Sequence, residues 1–138
     1  MDPHTLFSLF EAGDEEVYKE NGIESTLENP YVLMGMVVKG VENFFVLDTI
    51  YTKNHKEKYE KIKDVTKYKY FNKLYSYLQR ISSKKFETKY IIGESFDSGT
   101  VNSALHTLLY YYEGLEQYEK CAVIKRYIDL LYDKPNVR

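Results

Sequence analysis

Val65-Thr66-Lys67-Tyr68-Lys69-Tyr70-Phe71-Asn72-Lys73-Leu74-Tyr75-Ser76-Tyr77-Leu78-Gln79-Arg80-Ile81 is the stretch that decides the fold. Tyr68, Phe71, Leu74, Tyr75, Leu78 and Ile81 recur at the three- and four-residue spacing of one helical face, and Lys69, Lys73, Ser76 and Arg80 lie off it. A stripe this long has to be covered by other elements, which predicts a helix over 65–81 as a central part of the core. Just before it, His55 to Lys63 reads either as a separate turn or two of helix or as an N-terminal extension of the same one.

Toward the C-terminus, Val101–Glu113 and Tyr118–Tyr132 read as two helices around Gly114, with Ser98 or Thr100 available to cap the first. Toward the N-terminus, Tyr31–Thr52 admits two readings. It is a helix interrupted near Gly40, or two strands turning through Lys39-Gly40-Val41-Glu42-Asn43. Phe44, Leu47 and Tyr51 follow helical spacing, with Val37 one heptad ahead of Phe44, and a lone hairpin would need a sheet partner, so helix is favoured. Lys84–Ile92 alternates enough for a short strand, and Gly93–Gly99 looks like a loop. Asp2-Pro3 starts a helix that Gly13 ends, and a short acidic helix is expected over Asp14–Glu20, before Asn21-Gly22. The expectation is a single domain over 1–138, mainly α, built as a bundle of five or six helices with room for one short β element. Within it lie an acidic segment (1–30), a basic helical segment (53–90) and a C-terminal helical hairpin (98–133).

Composition narrows the class. A chain of 138 residues with 43% hydrophobic and 29% charged residues fits one globular domain. The single cysteine, Cys121, rules out an internal disulfide framework and suits a reducing compartment. Met-Asp-Pro-His lacks the basic and apolar regions of a signal peptide. Tyr31–Leu47, the longest apolar stretch, is interrupted by Gly35, Lys39, Gly40, Glu42 and Asn43 and is not expected to span a membrane. A cytoplasmic protein without membrane partners is expected. Fifteen tyrosines without a tryptophan, and lysine far in excess of arginine, point to AT-rich codons and hence a low-GC bacterial or phage genome. A tyrosine-rich contact surface is the other reading of the same excess.

The net charge of −2 hides a strong polarity. Lys53 to Lys89 holds twelve Lys or Arg against four acids, while the first thirty residues hold eight acids against one lysine. Segregated charge steers partners over about a Debye length, roughly 8 Å at physiological salt. The basic run therefore marks a docking face for the acidic protein surface of a larger complex, unless the acidic N-terminus covers it. Candidate contact residues are Lys56, Lys58, Lys61, Lys63, Lys69 and Lys73, with Tyr59 and Tyr77. Lysines interleaved with aromatics also suit nucleic acid, by neutralising phosphates and stacking bases. Scarce arginine and the interrupting Glu57, Glu60 and Asp64 favour the protein partner.

No enzyme signature accompanies the charge. Cys121 has no histidine in a recognisable arrangement, since His4, His55 and His106 are scattered, and it reads as a buried structural residue. No His or Cys pair has metal-ligand spacing, so neither a metal nor a cofactor is expected. Gly93-Glu94-Ser95 and Asp97-Ser98-Gly99 match neither a phosphate loop nor a nucleophile elbow. Glu11, Asp14, Glu15 and Glu16 read as the solvated acidic turn of a helix.

The stretch Glu116 to Leu131 resembles the second helix of a UVR motif, the helical hairpin of nucleotide-excision-repair subunits and some protease adaptors. The matching positions are Tyr118, Glu119, the small pair Cys121-Ala122, Ile124-Lys125, Ile128 and Leu131. Arg126 stands where that pattern is usually acidic, and Tyr110-Tyr111-Tyr112 makes the first helix bulkier. Leu108–Leu131 is also similar to a single tetratricopeptide hairpin, with Cys121 at its small position. Both resemblances imply protein–protein interaction. The expected function is thus a small non-enzymatic interaction module, either a phage-encoded modulator of a host complex or an accessory subunit of a bacterial machine. A nucleic-acid-binding accessory protein using the face at 53–73 is the alternative.

Overall fold

The structure, a computed structural model, describes residues 29–81 and 86–132. Among these residues it forms five helices and no strand: α1 (Pro30–Asn54), α2 (Lys56–Arg80), α3 (Phe86–Ser95), α4 (Ser98–Gly114) and α5 (Tyr118–Tyr132). The mainly α bundle read from the sequence is what the chain adopts. The helices expected over 2–20 lie outside the described residues.

Asn29 and Pro30 launch α1. The Asn29 side chain accepts the Tyr31 N–H at 2.8 Å, and proline's fixed φ suits the first helical position. The helix runs unbroken through Gly40, which corrects the expected interruption there. Gly40 marks a close crossing: a Cβ at this position would sit 2.3 Å from Cδ2 of Leu74 on α2. The chain leaves α1 through one residue, His55 (φ −141°, ψ 41°), whose N–H still reaches the Tyr51 carbonyl at 2.9 Å. It then returns antiparallel as α2. The Tyr59 hydroxyl donates to Asp48 at 2.7 Å, and the Phe44 ring lies 5.0 Å from Phe71. The stretch after His55 is therefore the N-terminal part of the same helix that carries the 65–81 stripe, with His55 as its cap and Ile81 just past its end.

Phe71, Leu74, Leu78 and Ile81 are buried as the stripe required, with Tyr75. Tyr68 is not: 36% of it remains exposed, while Tyr59, Tyr70 and Tyr77 are buried. The reason is that α2 packs on two sides. Tyr70 meets Phe44 of α1 at 5.5 Å, whereas Phe71 and Tyr75 meet Tyr111 and Tyr112 of α4 at 4.7 and 5.7 Å. The buried arc is consequently wider than one stripe, and Tyr68 lies at its edge.

The C-terminal helices form the expected hairpin, burying Val101, Leu105, Leu108 and Tyr112 against Ile124 and Tyr127. Their turn is closed by the Gln117 N–H on the Tyr112 carbonyl at 3.0 Å, with Glu116 held at φ 60°. The Tyr127 hydroxyl donates to the Ile81 carbonyl and ties α5 to the end of α2. Residues 86–95 are helical, which corrects the strand expected over Lys84–Ile92 and the loop from Gly93. A strand here would have no partner among the described residues, whereas as part of α3 Ile92 is buried in the bundle and its carbonyl accepts the Phe96 N–H at 3.1 Å. The interruptions seen in Tyr31–Leu47 do not shorten α1, which is long and apolar enough by length and composition to cross a membrane. In the bundle 39% of its apolar window is buried.

Candidate functional site

Helix α2 sorts the candidate lysines by the direction in which each leaves the bundle. Lys58, Lys61 and Lys69 are exposed on its outward face together with Val65, three to four residues apart, and Lys56 is exposed at its first turn. The ion pairs among the described residues are Lys39–Glu42 and Lys63–Asp48, so Lys56, Lys58, Lys61 and Lys69 carry none there. Lys63 is half-covered instead, 3.9 Å from Asp48 and 6.0 Å from the Tyr59 ring. Lys73 is half-buried with its ammonium 5.5 Å from the Tyr77 ring. Tyr59 and Tyr77 themselves are core residues, 1% and 5% exposed, and do not lie on the lysine face. Burial and the hydrogen bond to Asp48 push the Tyr59 hydroxyl pKa well up.

Two further lysines are spent on aromatic packing, and sequence reasoning missed both roles. Lys67 sits over Phe44, Phe71 and Tyr111 at 5.6, 5.6 and 5.1 Å, joining α1, α2 and α4. Lys120 sits over Tyr112, Tyr68 and Tyr75 at 4.8, 5.2 and 5.5 Å and donates to Asn72 Oδ1 at 2.9 Å. The same Asn72 oxygen accepts the Tyr112 hydroxyl at 2.7 Å. Tyr68 exchanges a weaker contact with Gln117, 3.1 Å from its Nε2. Contacts with Asn72 and Gln117, and the charge of Lys120, lower the Tyr68 pKa. Cations over ring faces contribute about 0.5–2 kcal/mol each, so these lysines hold the bundle together rather than project from it.

Beside the lysine face runs an open groove of about 610 Å³ between α1, α2 and the α3–α4 junction. Tyr31, Met36, Tyr70, Tyr77 and Phe96 give it aromatic and apolar walls, and Lys39 and Lys73 stand on its lining with Glu42 and Asp97. Lys73 thus links groove and outward face.

Cys121 is buried on the α4–α5 seam, its sulfur 3.9 Å from the Leu109 carbonyl. Desolvation, with a smaller push from Glu113, raises its thiol pKa, the reverse of what a nucleophile needs. His106 Nδ1 faces the Asn102 carbonyl of its own helix at 2.9 Å. Among the described residues no three His, Cys, Asp or Glu side chains are grouped to hold a metal ion. No protein-family model, curated protein or solved structure matches the chain.

Proposed function

We propose that this chain is a small, non-enzymatic interaction module that docks on an acidic protein surface of a larger complex through the outward lysines of α2. The observation that carries the reading is the exposure of Lys56, Lys58, Lys61 and Lys69 on one helix, without ion pairs among the described residues. Such charges add little to stability and much to the rate and selectivity of encounter. The burial of Tyr59, Tyr70 and Tyr77 weakens the nucleic-acid alternative, because a stacking platform needs exposed ring faces. The likeness of the C-terminal hairpin to UVR and tetratricopeptide helices favours a protein partner in the same way, on the strength of its sequence pattern. A phage-encoded modulator or an accessory subunit of a bacterial machine, acting in the cytoplasm, is the form of this function that the composition suits.

The test is affinity capture from a low-GC bacterial lysate, with and without nuclease treatment, run in parallel with the full chain and its Lys58→Glu/Lys61→Glu/Lys69→Glu variant. A protein retained by the first and lost by the second supports the reading. Equal capture by both, or capture that nuclease abolishes, refutes it.

A further inference from the structure

The face of α1 turned away from the core carries Glu42, Phe45, Val46, Thr49, Ile50 and Lys53, all exposed. Their spacing is i, i+3, i+4, i+7, i+8 and i+11, the broad stripe by which a helix is normally buried against a neighbour. Phe45, Val46 and Ile50 are 47%, 57% and 44% exposed, so the middle of the stripe is apolar and uncovered. Nearer the N-terminus the same side of the helix is covered: the Tyr31 ring stacks 5.3 Å from Phe96, and Gly35 also abuts Phe96. From Glu42 to Lys53 no other helix among the described residues takes over.

We infer that this stripe pairs with its own copy, α1 against α1, antiparallel about a two-fold axis passing between Leu47 and Asp48. The argument is the order of the residues. Read against itself in reverse, the stripe sets Glu42 opposite Lys53, Phe45 opposite Ile50 and Val46 opposite Thr49. Both ends then carry opposite charges and the centre is apolar, the anatomy of a protein interface with a core and a polar rim. An isologous contact requires this self-complementarity, whereas a parallel pairing would set Glu42 on Glu42 and Lys53 on Lys53. The α3–α4 junction over Tyr31 and Gly35 blocks sliding in one direction and helps to fix the register. Glu42 also has Lys39 at 3.3 Å in its own chain, an exposed pair that leaves the carboxylate open to a second cation. Three helical turns against three bury on the order of 1,000 Å² in all, the low end for specific contacts, so the dimer is a reversible one in the micromolar range.

Sedimentation equilibrium of the full chain across that range, with charge-swapped variants, tests the pairing. Glu42→Lys and Lys53→Glu should each weaken the dimer about five- to tenfold, since each turns two attractive pairs into repulsive ones. The double variant Glu42→Lys/Lys53→Glu should recover the wild-type constant, and Val46→Glu should give a monomer with unchanged circular dichroism. A wild-type chain that is monomeric at every concentration overturns the inference, as does a double variant no tighter than the singles. So does flotation of the monomeric chain with phosphatidylglycerol vesicles that Val46→Glu abolishes, which would make the stripe a lipid-binding face.

Discussion

Gly40 and Leu74 allow the α1–α2 crossing to be tested by a change of sign. Alone, Leu74→Ala should cost about 2–5 kcal/mol, because the residue is 4% exposed and its removal leaves a cavity. Gly40→Ala brings two opposing effects. It gains about 1 kcal/mol of helix propensity in the interior of α1. Its new methyl group, however, would lie 2.3 Å from one Leu74 methyl and 3.0 Å from the other, and overpacking a tight core costs about 1–3 kcal/mol. In the wild-type background the net effect should be a loss of up to about 2 kcal/mol. In the Leu74→Ala background the clash is gone and the methyl group enters the cavity, so the same substitution should stabilise by about 1 kcal/mol. Urea unfolding followed by far-ultraviolet circular dichroism, on all four members of the cycle, measures the coupling. If Gly40→Ala has the same sign and size in both backgrounds, the two helices do not cross where the structure puts them.

Lys120→Met should destabilise by about 1–3 kcal/mol, from lost cation–π contacts and the lost hydrogen bond to Asn72, whereas Lys58→Met should stay within about 0.5 kcal/mol; comparable effects in urea would contradict the division of labour between them. Cys121→Ala should leave partner capture intact, and Ellman's reagent should label the native thiol slowly near neutral pH; rapid labelling would place the thiol outside the seam. Burial raises the pKa values of Tyr59, Tyr75, Tyr111, Tyr112, Tyr127 and Tyr132, that of Tyr111 to about 12. The unfolded chain ionises near pH 10, so the stability held by these neutral hydroxyls is complete below pH 10 and declines as pH rises toward 12 and beyond. Melting temperature should therefore drop steeply above pH 10 with tyrosinate absorbance appearing at the unfolding step, and a flat profile to pH 12 would refute the burial of these rings.

Where a single periodicity governs an element, the element was readable from residues alone. The 65–81 stripe and the hairpin around Gly114 are of that kind, each carrying a long apolar face that only a neighbouring helix can cover. Gly40 was misread because glycine marks both helix breaks and close helix approaches, and only the position of Leu74 distinguishes them. Residues 86–92 were misread as strand because a short alternating stretch carries no information about whether a second strand exists to pair with it. The site was half legible. The lysine run is plain in the sequence, yet which lysines leave the bundle depends on α2 packing against α1 on one side and α4 on the other. That packing draws Tyr59 and Tyr77 inward, engages Lys63 with Asp48, and places Lys67 over three rings. Lys120 and Asn72 lie far apart in the chain, and no local pattern announces their contact.

The central claim, that the outward lysines of α2 steer this protein onto an acidic partner, is tested most directly by association kinetics. Stopped-flow measurement with the purified partner, from low to physiological salt, would compare the wild-type chain with Lys58→Glu/Lys61→Glu/Lys69→Glu. The account predicts a several-fold slower association for the variant at low salt, a difference that shrinks as salt rises, and unchanged helical circular dichroism. Equal association rates at low salt would contradict it and leave these lysines as the solvated side of a helix.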